Sequence, residues 1–303
     1  MQIYKSERGD IMVRFFEQLI NGLSVGSVYA LIALGYTMVY GIARMINFAH
    51  GDIIMIGAYI LYICYSILAL PGILSVLITI VFCSLLGVTI ERVAYKPLRK
   101  APSLAVLITA IGMSFFLQAL ALLIFGANPI TFPSIIKVKP IKIGSITIAG
   151  ITVITFLVTV ICMVGLTYFV NKTKAGSAMR AASEDKAAAE LMGINVNKTI
   201  SMVFAIGSAL AGVAGILYIS QYQSLMPTLG AQPGIKAFVA AVIGGIGNIP
   251  GAMIGGILLG VVESLSKAYI STQLSDAIVF GILVLVLLIK PSGLLGKNSI
   301  EKV

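Results

Sequence analysis

Charge is what this chain has least of. Only 11% of its 303 residues are charged, while 59% are hydrophobic. A soluble domain carries about 25% charged residues. A chain this apolar cannot present enough polar surface to water, so it belongs in a bilayer. Histidine is scarcer still, with the single residue His50, and there are three cysteines. Cys64, Cys83 and Cys162 all fall in apolar runs, where they read as small buried hydrophobes, not a disulfide framework. One imidazole and three scattered thiols do not make a zinc site. The phosphate-cradling Gly-x-x-x-x-Gly-Lys-Ser/Thr is missing. Its nearest approach, Gly293-Leu-Leu-Gly296-Lys297, lacks the spacing and the hydroxyl residue, so the chain is not expected to bind ATP. His-Glu-x-x-His, Gly-x-Ser-x-Gly and any Ser/His/Asp arrangement are missing too. No enzymatic activity, cofactor or metal is therefore expected.

Carboxylates are sparse where an ion-driven carrier would need them. Such carriers keep acidic groups inside the membrane. Here Asp52, Glu91, Glu263 and Asp276 are the only acidic residues at or near the apolar runs, and all lie toward run ends. His50-Gly51-Asp52 is the best candidate for a proton-sensitive site. The favoured reading is plainer: both side chains satisfy backbone groups at a helix end, with Asp52 capping the next helix.

What the chain does have is long apolar stretches. A spanning helix needs about 20 apolar residues. The expected fold is all-α, one polytopic transmembrane bundle over residues 1–303. About eight spans are expected, at 18–40, 52–70, 73–91, 103–125, 149–170, 199–222, 236–262 and 272–290, some broken or re-entrant. The first 17 residues mix charges of both signs, which does not fit a cleavable signal peptide. The alternation in Ile141–Ile148 allows a short strand or ribbon.

The net charge of +10 would suggest nucleic acid in a soluble protein. Here the basic residues cluster at span ends, which marks topology, so lipid and not nucleic acid is the expected surrounding. Arg92, Lys96, Arg99 and Lys100 form one cluster. Lys172, Lys174, Arg180, Lys186 and Lys198 form another. Both are expected in the cytoplasm. Loop 126–148 is then outside, although it carries Lys137, Lys139 and Lys142. Lys5, Arg8 and Arg14 near the start, and Lys290, Lys297 and Lys302 near the end, favour both termini inside.

Two spans are irregular. The run 236–262 holds Gly244, Gly245, Gly247, Gly251, Gly255, Gly256 and Gly260, with Pro250 in the middle. Unbroken, it would be roughly 39 Å long against a core of about 30 Å. Gly247-Asn248-Ile249-Pro250-Gly251 is the expected break. Broken backbone survives in a bilayer only when buried in protein or facing a wet cavity. Gly247, Gly251 and Gly255 share a face that lets another helix approach. Tight packing alone and a half-helix lining a translocation path both remain open here. The run Gly41–Asp52 is the counterpart in the other half. Asn47, Phe48, His50 and Gly51, with Gly244, Gly245, Gly247 and Asn248, are the candidate path residues.

Between Lys172 and Lys198 lies a polar segment with an Ala-rich, charged middle suited to a short helix. Gly193 stands where that helix would stop. A plain solvated loop is the competing reading. The length of the segment and its helix-forming middle favour a docking element for another protein, over about 175–195, with Arg180, Ala181, Glu184, Asp185, Ala188 and Gly193 as the candidate coupling residues.

Four motifs, in order, carry a resemblance: Ile46-Asn-Phe-Ala-His50-Gly-Asp52, Glu91-Arg-Val-Ala-Tyr-Lys-Pro97-Leu-Arg99, Arg180-Ala-Ala-Ser-Glu-Asp185 through Gly193-Ile194, and Gly244-Gly-Ile-Gly-Asn-Ile-Pro250-Gly-Ala252. Together they resemble the LivH-type permease subunits of branched-chain amino-acid ATP-binding-cassette importers. The resemblance implies a multi-pass protein of the bacterial inner membrane, working by alternating access. It implies a second, similar permease subunit, two cytoplasmic ATPases and an extracytoplasmic binding protein. It also implies that 175–195 supplies the coupling helix, although Glu184-Asp185-Lys186-Ala187-Ala188-Ala189 departs from the Glu-Ala-Ala spelling of other importers. Permeases for urea, amides or sugars are the near alternative. A stand-alone secondary carrier is the more distant one.

Overall fold

The computed structural model describes residues 2–99, 101–136, 138–144 and 146–296, with side chains from Met12 onward except at Ile143. Lys100, Lys137, Lys297 and Lys302, and the side chains of Lys5 and Arg8, lie outside the described residues. In chain order the helices are α1 (Gln2–Ala43), α2 (His50–Tyr62, continued by a π turn to Ile67), α3 (Gly72–Ile90, continued to Leu98), α4 (Ser103–Phe125), α5 (Gly150–Lys172), α6 (Lys174–Glu184), α7 (Lys186–Leu191), α8 (Val196–Tyr222), α9 (Ala231–Gly244), α10 (Ile249–Tyr269) and α11 (Ser275–Ile289). Seven of these, α1 to α5, α8 and α10, are long and apolar enough to cross a membrane, while α9 and α11 are shorter apolar helices. Two small antiparallel ribbons complete the fold. β1 (Ile130–Thr131) pairs with β4 (Ser224–Leu225), and β2 (Ile141–Ile143) pairs with β3 (Ile146–Ile148) as the alternating pattern suggested.

The helix ends follow local chemistry. Pro71 and Pro102 precede α3 and α4 in extended conformations that start a helix without a wasted amide. Thr173, Asn195 and Asn248 cap α6, α8 and α10, accepting from Gly176 N at 3.0 Å, Lys198 N at 3.0 Å and Gly251 N at 2.9 Å. The break expected in 236–262 is present, although Pro250 itself does not interrupt a helix. Pro250 sits in the first turn of α10, where its missing N–H costs nothing. The interruption is Gly245–Asn248, overlapping the expected 247–251 and beginning two residues earlier, so the run 236–262 is a helical hairpin of α9 and α10.

Lipid offers no hydrophobic drive for helices to associate, so close backbone approach has to do it. α1 and α10 run antiparallel in such contact. A Cβ on Gly256 would lie 2.4 Å from Ala30 Cα, and one on Gly260 would lie 2.2 Å from Gly26 Cα. Gly251 and Gly255 face α9, where Cβ atoms would meet Gly244 O at 2.4 Å and Ala240 O at 2.2 Å. The outward apolar side chains, such as Ile73, Leu123, Ile161 and Leu288, are exposed on the bundle's rim.

The two faces of the bundle are marked by contacts. On one, Lys186 Nζ donates to Ala43 O at 3.2 Å and Asn248 Nδ2 donates to Leu295 O at 2.7 Å. On the other, Ser264 Oγ donates to Gln18 O at 3.0 Å, and Phe15 packs on Tyr269. The start of α1 therefore lies on the face opposite α6 and α7, whereas Leu295 lies on their face. The two ends of the described chain thus lie on opposite faces, against the expectation of both on one side, because splitting one late span into α9 and α10 makes the number of passes odd.

Candidate functional site

Two helices begin inside the bundle. The chain leaves α1 through Arg44, in the left-handed region at φ 58°, and turns back before α2 starts at His50. His50 packs on Gly35, whose Cβ would lie 2.4 Å from its Nε2. Gly35 is eight residues short of Ala43, so α2 starts about 12 Å in from the face where α1 ends. α9 begins beside it. A Cβ on Gly230 would stand 1.8 Å from Gly51 O, and one on Gly234 would stand 2.9 Å from Gly51 Cα. The two half-helix starts are pinched together with no room for a side chain.

Below this pinch runs a narrow cleft. Tyr36 and Tyr40 of α1, Met45, Ile46 and Asn47 of the turn, Phe238 and Ala241 of α9, and Ile246 line it. It holds about 10 Å³, the room of roughly one water. Asn47 is 2% exposed, and its Oδ1 accepts from Tyr95 Oη at 2.9 Å. Its Nδ2 has no partner among the described residues. Phe48 packs on Phe238, and the His50 ring lies 4.7 Å from that of Tyr36, with neither nitrogen partnered among the described residues.

Of the expected path residues, Asn47 lines the cleft, and Phe48, His50 and Gly51 adjoin it. Gly244, Gly245, Gly247 and Asn248 do not. Gly245, at φ 101°, packs on Ser292 and Gly296, and Gly247 packs on Gly41. Asn248 spends both ends of its amide as a helix cap and as a clamp on Leu295. Asp52 is not a cap either. Ala49 is the N-cap of α2, without a side-chain bond, and Asp52 Oδ1 accepts from Gln118 of α4 at 2.9 Å. The tyrosine pair and Phe238 were missed. Tyr36 and Tyr40, one helical turn apart in an apolar span, were the available signal.

An ionic cluster centred on the buried pair Lys236 and Glu263 was missed as well. Lys236 of α9 pairs with Glu263 of α10 and Asp276 of α11, each at 2.7 Å. Lys267 meets the same Glu263 oxygen at 2.6 Å, and Tyr29 Oη donates to the other at 2.9 Å. Two cations and two anions balance, so neither carboxylate stands free as an ion-driven carrier would need.

The polar segment 172–198 is two helices, not one, because Asp185 turns extended and caps α7 by accepting from Ala187 N at 2.8 Å and Ala188 N at 3.0 Å. Arg180 donates back to Val170 O and Ser177 Oγ, fastening α6 to α5. Ala181 is half-buried, whereas Glu184 and Ala188 are exposed. Gly193, at φ 81°, ends α7 in a conformation suited to glycine. Leu191 and Met192 are 89% and 83% exposed at the tip. Lys186 grips the end of α1, and its ammonium is held below its usual pKa by partial burial, with Arg99 and Arg44 adding repulsion. Glu91 accepts from Ser201 at 2.6 Å and pairs with Arg99, which reaches Asn197, so α3 is tied to the base of α8 on the same face.

A bundle in which seven helices are long and apolar enough to cross a membrane, with half-helices meeting inside it and a braced polar segment at one face, has the build of a multi-pass membrane protein of the transport-permease class. Comparison with known proteins narrows the class. The family described as "Branched-chain amino acid transport system / permease component" matches residues 18–287. The chain is 46% identical over 301 residues to the high-affinity branched-chain amino acid transport system permease protein BraD of Pseudomonas aeruginosa, covering 95% of this chain and 98% of that one. It is 45% identical, with the same coverage, to the permease protein LivH of Escherichia coli. Among solved structures, PsaBC from Streptococcus pneumoniae in complex with Fab aligns at 16% identity with a TM-score of 0.49, over 90% of this chain and 91% of that one. The chain belongs to the LivH-type family of branched-chain amino-acid transport permeases.

Proposed function

We propose that this chain is the transmembrane permease subunit of an ATP-binding-cassette importer for branched-chain amino acids, acting as a single permease domain in a bacterial inner membrane. It carries no catalytic group for the transport cycle; ATP is hydrolysed by two cytoplasmic partner ATPases. A second, similar permease subunit completes the passage, and an extracytoplasmic binding protein delivers the substrate. The face bearing α6 and α7 is then cytoplasmic.

The observation that carries this reading is the grip of Lys186 on Ala43 O. Motion of the docking segment reaches the end of α1, and four residues later the chain is at Asn47 in the cleft. A helix pair fastened to α1, α5 and α8 passes on a rigid-body push, and the partner's nucleotide state biases the two access states. Glu184 and Ala188 are the contact residues facing the ATPase. Arg180, Asp185 and Gly193 shape the segment that presents them. The neutral, mostly apolar cleft suits a leucine-like solute better than a sugar.

The test is reconstitution in vesicles with and without the ATPase subunits, with leucine uptake as the readout. Uptake is expected only with ATPase and ATP together. ATP-independent uptake by this chain alone would establish a stand-alone carrier and defeat the proposal, and ATP-driven uptake of urea, an amide or a sugar in place of leucine would move the substrate.

A further inference from the structure

We infer that the side-chain amide of Asn47 receives the carboxylate of the transported amino acid, with Phe238 and Ile246 of the same cleft against its hydrocarbon side chain. This rests on the function proposed above and assigns it a subsite.

Three observations support it. First, Asn47 is buried yet half-used. Tyr95 Oη donates to its Oδ1, while Nδ2, with two N–H groups, has no acceptor among the described residues, and the residue lines the cleft. A buried donor left unmade is a standing cost, removed when an acceptor arrives. Second, no charged side chain lines the cleft among the described residues, so neutral dipoles must meet both charges of a zwitterion. A carboxylate only accepts hydrogen bonds and an ammonium only donates them, so a free N–H pair selects the carboxylate. Third, the amide is held from behind. Tyr95 is fully buried, its ring 5.2 Å from Phe204, so the hydroxyl that orients Asn47 is fixed. Tyr95 is thus a positioning residue.

The cleft has room for about one water here, and Asn47 follows the end of α1 that Lys186 grips. Opening would offer the donor to the substrate, and reclosing would withdraw it. With neutral groups only, the hold is weak, and selectivity is left to the binding protein.

The experiment uses the complete transporter in vesicles, reading leucine imported per ATP hydrolysed beside ATP hydrolysis stimulated by the binding protein. N47L keeps the size and removes the donors. It is expected to import at least ten-fold less leucine per ATP, with stimulated hydrolysis within two-fold of the parent. N47D sets a carboxylate against a carboxylate and is expected to be no better than N47L. Y95F keeps the amide but frees it, and is expected to fall between N47L and the parent. N47L importing at the parent's ratio overturns the assignment. So does N47D outperforming N47L, since that would place the ammonium there. If N47L does not co-purify with its partners, N47A, which has no donor, and Y95F decide, and parental ratios in both overturn it. Failure of the unmutated transporter to import leucine with ATP would sink the proposed function itself, a distinguishable result.

Discussion

The Tyr95 hydroxyl of α3 donates to the Asn47 side chain across 2.9 Å, so two residues 48 apart in the chain, one from each of two motifs, meet. Glu91 and Arg99, which flank Tyr95 in the second motif, pair with each other and reach Ser201 and Asn197. One stretch of α3 thus braces both the turn at Asn47 and the base of α8. Removing the hydroxyl leaves Asn47 Oδ1 buried without a donor, at a cost of about 1–3 kcal/mol. Tyr95→Phe is therefore expected to lower the unfolding temperature in detergent. An unchanged melt would mean the bond contributes nothing to stability.

Close packing of α1 on α10 predicts an asymmetry between glycines. A Cβ on Gly256 would press on the Ala30 backbone, whereas one on Gly112 meets nothing within 4 Å. Gly256→Val is expected to cost at least about 1–3 kcal/mol by overpacking and to give aggregated protein on size exclusion. Gly112→Ala should elute as the parent does. Similar profiles for both would refute the contact.

The ionic cluster can be ranked. Lys236 is 7% exposed between Glu263, at 2%, and Asp276, at 48%. Lys236→Met should destabilise by on the order of 3 kcal/mol. Asp276→Asn, at the exposed partner, should cost under about 1 kcal/mol. Thermal unfolding of the two variants decides it, and equal losses would argue that Asp276 and not Glu263 holds the lysine.

Docking and shape can be separated on the α6–α7 segment. Asp185→Ala removes the cap of α7, worth about 0.5–2 kcal/mol, while Asp185→Asn keeps a capping oxygen. Glu184→Lys changes only an exposed charge. If the segment docks the ATPase subunits as proposed, co-purification with them falls in Asp185→Ala and Glu184→Lys and persists in Asp185→Asn. Insertion should be normal in all three. Full co-purification of Glu184→Lys would remove that residue from the contact.

Much of this architecture could be read along the chain. Spans such as 103–125 were legible because lipid demands an unbroken apolar helix of set length, and the ribbon at 141–148 because alternation is a local signal. The α6–α7 segment stood out by composition, and Gly193 as its stop. The number of helices there was not legible, since Asp185 could serve as a helix residue or as a cap, and its extended backbone chose the latter.

Apolar length, charge placement and local capping chemistry are properties of neighbouring residues, and they set the helices, the ribbon and the membrane class. The pairing of Lys236 with Glu263, the seat of Asn47 against Tyr95 and the side on which α1 begins are different. Each depends on which helices lie next to each other in space. That arrangement comes from glycine faces meeting at backbone distance, a relation no stretch of sequence contains until the bundle closes.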